Sequence, residues 1–283
     1  MYKRQPETVA IATLVYSTIT FVGMALFGID RWIERGEAFS VYFNLFSRLS
    51  VFERRDGEIG VRRPLSGLAS LPPAAGTVAL LAVMIGSVSF DGASAGPEWQ
   101  SVVPSLQEVG NALGLAPAST LELTYGIGLV AAIGLAYLLY RLGIAGVSTV
   151  GGDMSGRALS MSFVHSLVPI ALVYAAAHYV SLLVIQGQSV ASLASDPLGK
   201  GSNIFGTATS TIDYGVFGQN TYWYMQVGFV VAGHVAALAL AHDRALALYD
   251  RARVAVRSQY FLLGIMVIYT VLALFLLSQA NAG

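Results

Sequence analysis

The sequence contains no cysteine among its 283 residues. Without thiols, the chain forms no disulfide and supplies no thiolate to a metal ion or an iron–sulfur cluster. A cysteine nucleophile is excluded for the same reason. A metal ligand or a catalytic group in this chain must therefore come from histidine, carboxylate or other polar side chains.

Charged residues are also scarce: they make up 11% of the chain, against 55% hydrophobic residues. A typical soluble domain carries roughly 25% charged residues, which coat its water-facing surface. The 16 basic residues equal the 16 acidic ones, so there is no basic surplus to hold a nucleic acid. The composition predicts an integral membrane protein whose surroundings are a lipid bilayer, with no nucleic-acid partner.

Long apolar runs are the dominant feature of the sequence. A helix needs about 20 mostly apolar residues to cross a bilayer core of about 30 Å. Six runs qualify, which predicts an all-α fold, a polytopic membrane bundle formed by residues 6–283 as one domain. The predicted spans are residues 9–29, 74–90, 121–140, 159–185, 222–241 and 260–277.

The first five residues, MYKRQ, resemble the translation of a sequencing-library adapter found at the start of truncated metagenomic genes. We treat residues 1–5 as a scar and leave them out of the fold argument. We therefore expect that N-terminal helices of the same protein are missing, and that these helices are partners of the chain described here.

The basic residues are distributed very unevenly among the predicted loops. Thirteen arginines fall in the loops after the first, third and fifth spans, whereas Lys200 alone falls on the opposite side beyond residue 5. Loops on the cytoplasmic side collect Lys and Arg. The distribution predicts a protein of the plasma membrane with both termini of residues 6–283 outside.

Two loops carry patterns of their own. In the cytoplasmic loop 30–73, residues 31–50 interleave aromatic and charged side chains, which favours an amphipathic helix at the membrane interface. Asp56-Gly57 then predicts a tight hairpin turn between two short strands. The outer loop 186–221 is long and polar but contains apolar residues, so we expect it to fold back over the outer mouth of the bundle.

All four histidines lie in or beside the fourth and fifth spans, and ionisable residues in a membrane suggest function. His165 and His178 are 13 residues apart, a spacing that suits two stacked haems. The fifth span has no second histidine at the depth of His178, which disfavours haem b. A simpler interpretation is that His165 and His178 hydrogen-bond neighbouring helices and hold them together.

A divalent metal ion is the other cofactor that the histidines could bind, because imidazole suits zinc, copper, iron and nickel. Neither of two common metal-binding patterns, His-Glu-x-x-His and His-x-His, is present in the sequence. Metal ligands from these histidines would therefore have to converge through the tertiary structure. Glu122, near the outer end of the third span, is either a proton acceptor in the bundle or a wetted interface residue. The candidate ligands are His165, His234, His242 and Asp243 on the inner side, and His178, Asp196, Asp213, Gln226 and Tyr222 on the outer side.

Five segments of the sequence are similar to segments that occur together in a known protein family. They are GEAFSVYFNLFSRLS (36–50), SLVPIALVYAAAHYVSLLVIQGQ (166–188), SDPLGKGSNIFGTA (195–208), YMQVGFVVAGHVAALALAHDRALALY (224–249) and SQYFLLGIMVIYT (258–270). With these phrases the chain resembles a family of multi-pass membrane proteins, mostly from actinobacteria, whose members are often labelled fenitrothion hydrolase. The resemblance covers most of residues 9–277. It implies a hydrolase of phosphotriester type, in which a metal would activate the attacking water.

Three hypotheses about function therefore stand at this stage. The first is a histidine- or metal-dependent membrane hydrolase. The second is half of a permease, motivated by histidines at several depths and by Pro169 within the fourth span. The third is a non-catalytic assembly subunit with a membrane partner, motivated by small-residue helix faces.

Overall fold

The computed structural model describes residues 6–55, 57–72, 74–151 and 154–280. The suspected scar at residues 1–5, Asp56 of the predicted turn and Pro73 lie outside the described residues. Within them the fold is helical with a single two-stranded hairpin, which confirms the all-α prediction. The helices are α1 (Pro6–Phe27), α2 (Ile29–Arg35), α3 (Ala38–Ser47), α4 (Ser66–Ala69), α5 (Thr77–Ser94), α6 (Pro97–Ala112), α7 (Pro117–Ser148), α8 (Gly156–Phe163), α9 (Leu167–Gln186), α10 (Ser189–Ser195), α11 (Gln219–Leu248) and α12 (Ala252–Ala280), and the strands are β1 (Phe52–Arg55) and β2 (Glu58–Val61).

Six helical stretches in the described residues are long and apolar enough to cross a membrane, as the sequence predicts. Several run well past the predicted limits, because a helix continues into the polar zone beyond the hydrocarbon core that the hydropathy pattern detects. The stretches are Glu7–Phe27, Thr77–Ser94, Pro117–Ser148, Gly156–Gln186, Gln219–Leu248 and Ala252–Ser278. The chain is therefore compatible with a multi-pass membrane protein.

The chain divides into two compact units, residues 1–70 and 71–283. In the first unit, the predicted amphipathic helix over residues 31–50 is instead two helices, α2 and α3. The break has a local cause: the Glu37 carboxylate accepts hydrogen bonds from the backbone N–H groups of Phe39 and Ser40, which starts α3 anew. Tyr16 of α1 also donates its hydroxyl to Glu37.

The predicted hairpin of the first unit is present as β1 and β2, which pair antiparallel. Gly57 lies in the turn with a φ of 91°, a left-handed conformation that glycine adopts without steric cost. The Arg62 guanidinium fixes the base of the hairpin, since it donates to the carbonyl oxygens of Ser47 and Ser50 at 3.0 and 2.8 Å.

The second unit is a bundle in which α5 packs against α7, α9 and α12, while α11 packs against α9 and α12. Glycine allows two of these close approaches. A Cβ atom built on Gly86 of α5 would lie 2.5 Å from the Ile133 Cα atom of α7. One built on Gly233 of α11 would overlap the Val173 side chain of α9. We call the end of the bundle that carries residues 187–218 the outer end, after the predicted orientation.

The fourth span is interrupted, because a 3₁₀ turn over Val164–Ser166 separates α8 from α9. Pro169 has no N–H to donate to the carbonyl group of His165, four residues earlier, so a regular α-helix is weakened at this point. Pro104, in contrast, lies inside a continuous α6. This helix packs against α7.

Candidate functional site

A cavity of about 180 Å³ lies among the outer halves of α5, α9, α11 and α12. Its lining combines apolar side chains with a small number of polar groups, the usual composition of a small-molecule site. No lysine or arginine of the described residues lines it. The lining residues that carry polar side chains are Ser89, Tyr174, His178, Ser181 and Gln226.

His178 is the basic side chain of this lining, and it is paired with Asp91. The Nε2 atom of His178 lies 2.7 Å from the Oδ2 atom of Asp91, which is near the C-terminal end of α5. The side chain of His178 is 25% exposed and that of Asp91 61%, so the pair sits at the mouth of the cavity, not in its interior.

The hydrogen bond assigns the tautomer of His178. An ionised carboxylate only accepts hydrogen bonds, so Nε2 carries a proton, and in the neutral imidazole the lone pair is on Nδ1. A Cβ atom built on Gly92, the next residue after Asp91, would lie 4.0 Å from Nδ1; apart from the adjoining residues and the backbone of α5, no other atom of the described residues lies within that distance. Space for a small reactant therefore exists beside the basic nitrogen.

Two further lining residues hold the walls of the cavity together. The Gln226 side-chain amide of α11 donates to the Ala177 carbonyl oxygen of α9 at 3.0 Å. The Tyr174 hydroxyl of α9 donates to the Tyr269 carbonyl oxygen of α12 at 3.3 Å. Each bond joins two different helices, so these polar groups fix the geometry around His178.

His234 and Tyr222 are buried on α11 on the same face as Gln226, spaced at multiples of four residues. His234 donates its Nδ1–H to the Val230 carbonyl oxygen at 2.8 Å, and its ring lies 6.3 Å from that of Tyr174. The His234 Nε2 atom and the Tyr222 hydroxyl have no hydrogen-bond partner among the described residues. Neither residue lines the cavity itself.

The remaining inner candidates are dispersed. His165 is buried in the 3₁₀ turn of the fourth span. His242 donates its Nδ1–H to Gln259 Oε1 at 3.1 Å, and Asp243 beside it is exposed. Glu122, the carboxylate of the third span, is also exposed, which agrees with a wetted interface position.

The two outer-loop aspartates serve the loop itself. Asp196 accepts hydrogen bonds from the backbone N–H groups of Lys200 and Gly201 at 2.9 and 2.7 Å. Desolvation acts to raise the pKa of Asp196, but these bonds and two more from Gly199 and Ser202 outweigh it, so the pKa is lowered. Asp213 accepts from the Gly215 N–H, and its own main chain pairs with the Gln188 side chain.

The predicted metal ligands consequently do not converge. Among the described residues there is no group of three His, Asp or Glu side chains placed to hold a metal ion. A catalytic zinc site takes three protein ligands, and the donors at the cavity mouth are one histidine and one carboxylate already bonded to each other. The residues present therefore do not fit a three-ligand metal site.

Sequence reasoning overlooked Asp91 as a functional residue. In the sequence it is one of three acidic residues, with Glu98 and Glu108, in the stretch 91–120 after the second predicted span. The usable signal was its depth: Asp91 follows the predicted end of the second span by one residue, at the same end of the bundle as His178.

Comparison of the chain with protein-family models, curated proteins and solved structures finds no match.

Proposed function

We propose that the protein is a membrane hydrolase that cleaves neutral phosphotriesters in the outer cavity, with His178 as general base and Asp91 as its orienting partner. The observation that carries the proposal is the 2.7 Å hydrogen bond between His178 Nε2 and Asp91 Oδ2 at the wall of that cavity. A base held by a third group in this way is a recurring arrangement in hydrolytic sites.

The proposed reaction follows from the free lone pair on His178. Nδ1 takes a proton from a water molecule while the water oxygen forms a bond to phosphorus. The bond between phosphorus and the leaving oxygen breaks, and the proton then passes from His178 to that oxygen. Asp91 stabilises the imidazolium ion formed in between. The products are a phosphodiester and an alcohol or phenol.

The charge of the cavity supports a neutral substrate. The lining contributed by the described residues contains no lysine or arginine, and the Asp91 carboxylate lies at the mouth. A phosphate monoester or diester would bring its own negative charge against Asp91. A triester is uncharged and suits a partly apolar cavity. The resemblance to membrane proteins labelled fenitrothion hydrolase supports the same substrate class.

We further propose a plasma-membrane location with the cavity facing outward, on the strength of the arginine distribution in the loops. A Thr209→Cys variant tests the orientation, since the chain has no native cysteine. A membrane-impermeant thiol reagent added to intact cells should label it. Labelling only after the cells are opened would contradict the orientation.

The activity is tested with the purified full chain and a neutral aryl phosphotriester that releases a coloured phenolate. We expect His178→Ala to abolish phenolate release, while Glu122→Gln, at an exposed outer carboxylate, leaves it unchanged. Retention of full activity by a folded His178→Ala variant would overturn the proposal. Absence of activity in the unmodified chain, with other neutral esters also inert, would overturn it as well.

A permease remains the second candidate, and one observation favours it. The fourth span is broken at Val164–Ser166, with buried His165 in the break, and discontinuous helices are typical of transporters. Under this hypothesis, His165→Ala abolishes pH-driven solute flux into proteoliposomes without affecting phosphotriester cleavage. Flux that is unaffected by this change would count against transport through the break.

A further inference from the structure

The short helix α10, directly after the fourth span, has its polar face inward and its apolar face outward. Gln188 and Ser195 are seven residues apart, nearly two full turns, and so share a face. Val190 and Leu193 point about 180° away from that face at 100° per residue. Ser195 is completely buried, whereas Val190 is 64% and Leu193 63% exposed. This arrangement is the reverse of a helix packed on a protein core.

The polar face of α10 is fully engaged by the rest of the outer loop. The Ser195 hydroxyl donates to Asn203 Oδ1 at 3.0 Å and accepts from the Phe205 N–H at 3.1 Å. The Gln188 side-chain amide exchanges two hydrogen bonds of 2.9 Å with the main chain of Asp213. Hydrogen bonding to the loop, and not burial of apolar surface, therefore orients α10 and holds Val190 and Leu193 outward.

Exposed apolar side chains also lie on the neighbouring end of α9. Leu182 and Leu183, in the last turn of α9, are 52% and 68% exposed, on a helix that is apolar enough to cross a membrane. Only Gly187 and Gln188 separate α9 from α10. The exposed side chains of Ile204 and Phe205 lie on the segment bonded to Ser195. Exposed apolar side chains thus lie on both sides of the two-residue connection, at the end of the span and on the loop.

We propose that the outward face of α10 docks onto the bilayer itself, with Val190 and Leu193 immersed at the boundary between headgroups and acyl chains. The bilayer is the occupant because α10 begins three residues after a membrane-crossing helix and presents the same kind of surface. The outer loop then anchors beside the bundle. This inference concerns the loop alone and does not depend on the proposed hydrolysis.

The lack of native cysteine makes a direct test straightforward. Single variants Leu193→Cys and Val190→Cys carry a nitroxide spin label in the full chain, reconstituted into phosphatidylcholine vesicles. Collision with oxygen, which concentrates among acyl chains, is compared with collision with a water-soluble nickel chelate. Leu182→Cys serves as the lipid-facing reference, and Thr209→Cys, at an exposed polar position of the same loop, as the aqueous reference.

We expect labels at 193 and 190 to collide with oxygen in preference to the nickel chelate, as the label at 182 does, and the label at 209 to show the opposite preference. Labels at 193 and 190 that behave like the one at 209 would overturn the proposal, because the face would then be in water. Labels inaccessible to both reagents would also overturn it, since a protein surface would then cover the face.

Discussion

His178 and Asp91 are 87 residues apart in the chain, yet their side chains meet at 2.7 Å and join α9 to α5 at the mouth of the outer cavity. The bond selects the histidine tautomer and leaves Nδ1 basic. A lone histidine in a membrane helix is ordinarily a hydrogen-bonding residue between helices. Here the carboxylate partner and the adjacent cavity distinguish His178 from His165 and His242.

Replacement of the orienting carboxylate tests this arrangement most directly. Asp91→Asn keeps the shape of the side chain but removes the charge that stabilises the imidazolium ion. We expect the rate of phosphotriester cleavage to fall by about 10²–10⁴-fold, the range for loss of base catalysis and its carboxylate partner. The measurement is phenolate release under saturating substrate, with Glu122→Gln as the control. An unchanged rate in Asp91→Asn would remove Asp91 from the mechanism.

Two glycines of the bundle, Gly86 and Gly134, should differ in how well they tolerate replacement by alanine. Gly86→Ala places a Cβ atom 2.5 Å from the Ile133 Cα atom, and backbone cannot yield as a flexible side chain can. We expect a loss of about 1–3 kcal/mol in the free energy of unfolding, measured by denaturant titration in mixed micelles. Gly134→Ala on α7 meets no atom within 4 Å among the described residues and should be tolerated. Equal stability of the two variants would contradict the close α5–α7 contact.

Removal of the hydrogen bond between Gln226 and Ala177 should lower the free energy of unfolding by less than Gly86→Ala does. Gln226→Leu preserves bulk but removes a side-chain donor that joins α11 to α9. Hydrogen bonds between membrane helices contribute on average about 0.6 kcal/mol, with a maximum of about 1.7 kcal/mol. We expect a loss of unfolding free energy in this range, from the same titration. Met225→Leu, a volume-conserving change at the neighbouring residue, is the control. If Gln226→Leu lowers the free energy of unfolding no more than Met225→Leu does, the hydrogen bond contributes nothing.

We expect the stability of the outer loop to depend on pH through Asp196. Its pKa in the folded loop is lowered from the ordinary value of 3.8, because the backbone N–H bonds to the carboxylate outweigh desolvation. The contribution to loop stability is therefore complete above pH 3.8 and is lost as the pH falls through the lowered pKa. The protection factors of the Lys200 and Gly201 amides, which compare each exchange rate with the intrinsic rate at the same pH, should fall on acidification. In Asp196→Asn this fall should be absent, and its persistence would assign the effect to another group.

The apolar runs predicted the six spans because crossing a bilayer depends on local composition alone: about 20 apolar residues suffice, whatever their neighbours. The end of each helix was harder to predict. Both α7 and α11 are longer than the apolar runs within them, and hydropathy detects only the apolar run. The split of residues 31–50 depends on one local hydrogen-bonding residue, Glu37, which average hydropathy does not detect.

The candidate site was less predictable than the spans. His178 was named from its position in a membrane helix, and Gln226 and Tyr222 from the same end of the bundle. Asp91 was passed over because its pairing depends on the rotation of α5 about its axis, which contacts with α7, α9 and α12 set together. Asp196 and Asp213 looked like ligands, but each is held by the main chain of its own loop.

The sequence by itself determined a helical fold with six helices long and apolar enough to cross a membrane, and a strongly uneven distribution of arginine. Transfer of apolar side chains into lipid and retention of charge in water are properties of each segment separately. Only the tertiary structure decided that His178 faces Asp91, that the other histidines lie apart, and that α10 turns its apolar side outward. These relationships depend on how helices rotate and approach one another, which side-chain packing across the whole bundle fixes.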